Sequence, residues 1–106
     1  MKCSQRKGAN GERELATILR RRGYDMRRGG SLSYGEIPDL VGLPNIHIEV
    51  KRRERLNIYE AMAQSIRDAA RFGDGAPTVF HRRNRSEWLV TMRIEDWLNL
   101  YERKRG

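Results

Sequence analysis

Asp39, Glu49 and Lys51 stand within "IPDLVGLPNIHIEVKRR", residues 37–53. A segment that only filled a core would do better without three ionisable groups. Successive side chains of a strand point to opposite faces. Ile46, Ile48 and Val50 then share one apolar face, and His47, Glu49 and Lys51 share the other. Glu49 and Lys51 fall ~7 Å apart on that surface at a rise of ~3.3 Å per residue. If the preceding segment pairs with this strand, Asp39 reaches the same surface. Two carboxylates converging there form a hard-oxygen site that suits Mg²⁺, with Mn²⁺ able to substitute, and suits zinc poorly. A divalent cation so held polarises a phosphate and acidifies the attacking water, while a neighbouring lysine orients that water or stabilises developing charge. The chemistry this predicts is phosphodiester hydrolysis. His47 reads as no more than a polar neighbour of Glu49, because hard cations prefer oxygen.

The elements that must position these groups can be read along the chain. Residues 1–7 read as a basic flexible arm, 8–102 as a single domain, and 103–106 as a basic tail. From about Ala9 to Arg22, Leu15, Ile18 and Leu19 recur at helical spacing, and Gly23 closes the segment. "YDMRR" reads as a short strand and "GGSLSYGE" as loop. "IPDLVGL" and "NIHIEVK" read as strands about a Pro-Asn turn. Leu56 to Phe72 reads as a helix with Tyr59, Met62, Ala63, Ile66 and Ala70 along one face. "GDGAP" stops it. "TVFHR" and "EWLVTM" read as a hairpin turning at "RNRS", with His81 in a DNA-facing turn, and Ile94 to Glu102 as a last helix. Trp88, Trp97 and the Met62 stripe read as core or interface. The order α-β-β-β-α-β-β-α predicts an α/β sandwich with a mixed central sheet of five strands flanked by helices.

The totals set bounds on partners. The 106 residues carry a formal net charge of +8, and arginines cluster at 20–22, 27–28, 52–55 and 82–85. Arginine reads phosphate bidentately, so the partner expected is nucleic acid. With 38% hydrophobic and 34% charged residues a core is possible but thin, and burial of a face in a dimer would add to it. No apolar stretch approaches the roughly 18 to 20 residues needed to span a bilayer. The basic start is not followed by an apolar signal core, so no export signal is expected. The lone Cys3 rules out an internal disulfide and fits a cytoplasmic setting.

"PD…EVK" resembles the core motif of the PD-(D/E)xK nucleases, which implies a restriction-endonuclease-like sandwich. The wider sequence is similar to archaeal-type Holliday-junction resolvases and related small phage endonucleases. "RKGANGERELATILRRRGYDMRR" resembles the resolvases' opening helix. "GGS" stands at their Gly-Ser loop, and "IEVK" at their catalytic strand. "LNIY", "RFGDGAP" and "EWLV" resemble later family features, so the likeness spans about residues 6 to 92. The loop "SLSYGEIPD" is longer than the resolvases'.

The resemblance implies roles residue by residue. Asp39 and Glu49 would be metal ligands, the Val50 carbonyl a third, Lys51 the catalytic lysine and Glu12 an additional acid from the helix. Glu12, Leu15, Ala16 and Leu19 stand at i, i+3, i+4 and i+7, which puts Glu12 at the border of the inward face. Arg28 would contact phosphate, and either Ser31 or Ser33 would be the loop serine. Gln64 would lie near the site on the following helix. Lys7, Arg27, Arg52, Arg53 and Arg55 complete the expected DNA contacts.

The function these readings imply is a Mg²⁺-dependent endonuclease cutting branched DNA as a two-fold homodimer, since a four-way junction needs paired nicks. The interface expected is the apolar surface of residues 56–72 or the final hairpin. A phage nicking, flap or repair nuclease keeps the chemistry and changes the substrate. A non-catalytic nucleic-acid-binding module would have no need for an acidic pair amid positive charge.

Overall fold

The computed structural model describes residues 2–29 and 38–105, with side chains from 10 onward and up to 103. The elements run α1 (Lys2–Arg21), β1 (Arg27–Arg28), β2 (Leu40–Val41), β3 (Ile46–Arg52), α2 (Ile58–Phe72), β4 (Ala76–Arg82), β5 (Leu89–Met92) and α3 (Ile94–Arg105). This is the α-β-β-β-α-β-β-α order expected from the sequence.

β3 and β4 pair in parallel, in register from Ile46↔Ala76 to Arg52↔Arg82, and α2 makes the crossover that parallel pairing requires. β5 returns antiparallel to β4, with Thr78 opposite Met92 and His81 opposite Leu89. β1 and β2 form a separate two-stranded antiparallel ribbon. Among the described residues the five strands therefore divide two and three, where a single five-stranded sheet was expected. β2 is only two residues long and packs against β3 without joining its ladder.

The central strands are covered on both faces. On the α1 side, Leu15, Ala16, Met26, Leu40, Ile48 and Phe80 form a buried cluster, with Leu19, Val50 and Trp88 packed against it. On the α2 side, Val79 packs with Ala61 and Met62. Gly11 lets α1 approach β3: a Cβ there would lie 3.0 Å from the Arg52 Cβ and 3.5 Å from Val50 Cγ1. The Arg20 guanidinium donates to the Met26 carbonyl from Nε (3.1 Å) and Nη2 (2.8 Å), drawing the chain after the helix back onto it. Asn57 caps α2 by accepting from the Glu60 N–H at 3.2 Å.

Four sequence expectations are corrected. Residues 2–7 are helical rather than a flexible arm, because Gly8 lowers helix propensity without preventing extension of a helix already nucleated downstream. α3 likewise runs through Arg105, into the expected tail, since arginine and lysine favour helix. His81 lies within β4 rather than in the turn, and its Nε2 is 2.8 Å from Thr91 Oγ1. On α2 the buried residues are Ala61, Met62, Ser65 and Ala69, whereas Tyr59 is 85% exposed and Ala63, Ile66 and Ala70 face outward. Small residues lie against the sheet because the helix packs closely there. No helix among the described residues is long and apolar enough to cross a membrane.

Candidate active site

The apolar side of β3 faces α1, and its polar side faces α2. Glu49 and Lys51 therefore emerge beside the helix that carries Gln64. The chain leading into β2 brings Asp39 to the same place, and α1 brings Glu12. Glu12, Asp39, Glu49, Val50, Lys51 and Gln64 line one open cleft of about 690 Å³ whose rim carries Arg52, Arg53, Glu54 and Arg55. Residues separated by up to 52 positions in the chain (12 to 64) thus meet on one surface.

The electrostatics of the cleft are unbalanced in a particular way. Glu12 is mostly buried, and burial pushes its carboxyl above the ordinary carboxylate range. The adjacent Asp39 carboxyl pushes it the same way, while the Arg28 guanidinium, donating to Glu12 Oε1 at 3.1 Å, opposes both. Glu49 points its two oxygens in different directions. Oε2 is 3.6 Å from the Lys51 Nζ, and Oε1 is 3.8 Å from His47 Nε2. Carboxylates gathered at this density, with only part of their charge offset, form a donor set that fits a hard divalent cation.

His47 is the neighbour of Glu49 that the sequence implied, and the structure adds its burial. It is only 2% exposed and sits under α2, with its ring stacked on Phe72 at 6.0 Å between centroids. Its Nδ1 donates to Asp74 Oδ1 and Oδ2 at 2.9 and 3.0 Å. Burial disfavours the imidazolium, but the carboxylates of Glu49 and Asp74 outweigh it and raise the pKa above the ordinary 6.5. At 3.8 Å, the Nε2–Glu49 approach is electrostatic rather than a hydrogen bond.

The remaining expected residues are placed as follows. Arg27 pairs with Asp25 at the surface, at 3.1 Å. Arg52 turns toward α1, its Nε 3.8 Å from Glu14 Oε2, while Arg82 and the Trp88 indole bind Oε1 of the same carboxylate. Arg53 and Arg55 are exposed. Ser31, Ser33 and the Lys7 side chain lie outside the described residues. Sequence reasoning missed Asp68 and Asp74. Asp68 follows Gln64 by four residues, a spacing that puts both on one face of α2, and Asp74 was taken only as part of the stop after it.

The comparisons with known proteins bear on the family and the fold. A family model described as archaeal Holliday junction resolvase (Hjc) matches residues 3–104. Among solved structures, the chain is similar to Hjc of Archaeoglobus fulgidus, a Holliday junction resolvase from an archaeal hyperthermophile. The identity is 26% over 81% of this chain and 72% of that one, with a TM-score of 0.59. No curated protein sequence matches. With all but the end residues of its described fold inside the matched span, the chain belongs to the archaeal Holliday junction resolvase family.

Proposed function

We propose that this protein is a Mg²⁺-dependent endonuclease that nicks four-way DNA junctions as a two-fold homodimer, with Asp39, Glu49, Lys51 and Glu12 in its active site. The observation that carries the reading is the meeting of three carboxylates and a lysine in one cleft rimmed by arginines.

Asp39, Glu49 and the Val50 carbonyl are the groups that would hold the cation, with Glu12 as an additional acid. When bound, Mg²⁺ supplies Lewis-acid polarisation of the phosphate and acidification of the attacking water. Lys51, held near Glu49 Oε2, donates to the reacting phosphate and offsets the charge that grows on it. Glu12 keeps Arg28 at the cleft, where its free donors can meet a neighbouring phosphate. Arg53 and Arg55 continue the cationic track along the strand exit. Gln64 borders the cleft from α2 and can hold water by its amide.

The outward stripe on α2 supports the homodimer. Ile58, Tyr59, Met62, Ala63 and Ile66 line an apolar groove of about 460 Å³ together with Thr91 and Met92, and Leu89 and Val90 are each 57% exposed. An apolar face of this kind suits a second copy of the chain. The cytoplasm, where junction DNA arises, is the compartment the reading implies.

The test is incubation of a labelled four-way junction and a matched linear duplex with wild type and Asp39→Asn, in Mg²⁺ or EDTA. Paired, Mg²⁺-dependent nicks on the junction are expected. The variant should lose about 10³-fold in rate, on the order of 4 kcal/mol, with binding retained. Equal cutting of the linear duplex would overturn the junction preference. Binding without cleavage in Mg²⁺ or Mn²⁺ would overturn the nuclease assignment.

A further inference from the structure

We infer that His47, Glu49 and Asp68 form a second cation site, on the α2 side of β3, that takes a nitrogen-preferring divalent transition ion such as Co²⁺ or Zn²⁺. One donor atom from each residue lies within 4.8 Å of the other two. Ligands of one such ion, at about 2.0–2.2 Å from it, sit some 3–4 Å apart, so a small side-chain adjustment closes the set.

The independent observation is the state of the histidine. His47 is 98% buried by the complement of its 2% exposure, yet Nε2 has no hydrogen-bond partner among the described residues. That nitrogen faces Glu49 at 3.8 Å, too long for a hydrogen bond. A polar atom left unpaired in a buried place is costly unless something binds it.

The other side of the ring is already arranged as a metal-binding histidine requires. Nδ1–H donates to the Asp74 carboxylate at 2.9 Å, so Nε2 is the nitrogen whose lone pair a cation takes, in exchange for the proton the imidazolium holds there. Phe72 stacks on the ring at an interplanar angle of 18° and holds its plane. A cleft of about 200 Å³, lined by Asp39, His47, Glu49, Gln64, Asp68 and Arg71 among others, connects these groups to solvent. Once a cation has displaced the Nε2 proton, two carboxylates and a neutral imidazole balance its divalent charge. The nitrogen biases the site away from Mg²⁺, which prefers an all-oxygen shell, and toward transition ions.

The site shares Glu49 with the catalytic cleft, while its other two ligands, His47 and Asp68, are residues that the proposed cleavage does not use. An ion there would join α2 to β3 and fix the carboxylate whose other oxygen faces Lys51.

The experiment is a titration of the metal-stripped full chain with Co²⁺, without DNA and with excess Mg²⁺ present, read by visible absorption and calorimetry. Wild type should bind one equivalent of Co²⁺ with a nitrogen-containing ligand-field spectrum that Asp68→Asn and His47→Gln each abolish. Asp74→Asn should weaken it by about 10–100-fold, as loss of a second-sphere partner does. Asp68 is partly exposed, so its variant keeps the fold, which a thermal melt of the stripped protein verifies. If Asp68→Asn and His47→Gln bind Co²⁺ as wild type does, or wild type binds none against Mg²⁺, the site does not exist. Because no DNA is present, failure of junction cleavage would leave either result intact.

Discussion

The indole Nε1 of Trp88 donates to Glu14 Oε1 at 2.8 Å, joining the first helix to the strand region that follows the hairpin turn. Arg82 binds the same oxygen, and Arg52 approaches Oε2 at 3.8 Å. Glu14 is thus an anchor, whereas Glu12, two residues earlier, faces Arg28 and Asp39 in the cleft. Glu14→Ala removes the acceptor of all three donors. It should lower stability by about 1–3 kcal/mol in urea unfolding, and Glu14→Gln should lower it less by keeping the Trp88 hydrogen bond. Below its melting temperature the alanine variant should still cut DNA, since Glu14 lies outside the cleft.

Gly75 adopts φ +140°, and a Cβ on it would overlap the Asn45–Ile46 peptide. Its neighbour Ala76 donates to Asn45 O at 2.9 Å, beginning the β3–β4 ladder. Gly75→Ala must therefore push the two central strands apart at their start. A loss of about 3 kcal/mol or more is expected, measurable as a fall in melting temperature.

His81 is partly buried on β4, and burial lowers its pKa below the ordinary 6.5. The folded protein then binds fewer protons at this site than the unfolded chain as pH falls. The stability it contributes is complete above about pH 6.5 and is lost as pH drops through the lower folded value. Wild type should lose melting temperature faster than His81→Gln between about pH 7.5 and 5. Parallel curves would remove His81 as the cause.

Arg53 and Arg55 sit exposed at the exit of β3, beside the acidic cleft. Each is expected to neutralise one phosphate. Arg55→Ala should weaken junction binding and reduce the slope of log affinity against log salt by about 1. An unchanged slope would mean that the DNA path leaves the cleft in another direction.

Alternation in "NIHIEVK" was enough to separate the Ile48 face from the Glu49 face, because a two-residue period is a local property of a strand. Glu49 and Lys51 were legible as neighbours for the same reason, whereas Asp39 and Glu12 were expected beside them mainly from the resemblance. The inward face of α2 was not legible. Tyr59 and Ile66 look like core residues in the sequence, but the close helix-to-sheet contact selects Ala61, Ser65 and Ala69. The burial of His47 was equally hidden, since it depends on Asp74 and Phe72 arriving from 25 or more residues away. Such contacts are set by packing, which carries no short-range signal.

The tie between Glu14 and Trp88 has a consequence for how the molecule is made. Every acid of the cleft leaves the ribosome well before the residue that fastens the first helix. A nascent chain short of that tryptophan holds the reactive groups without the brace for the element bearing Glu12.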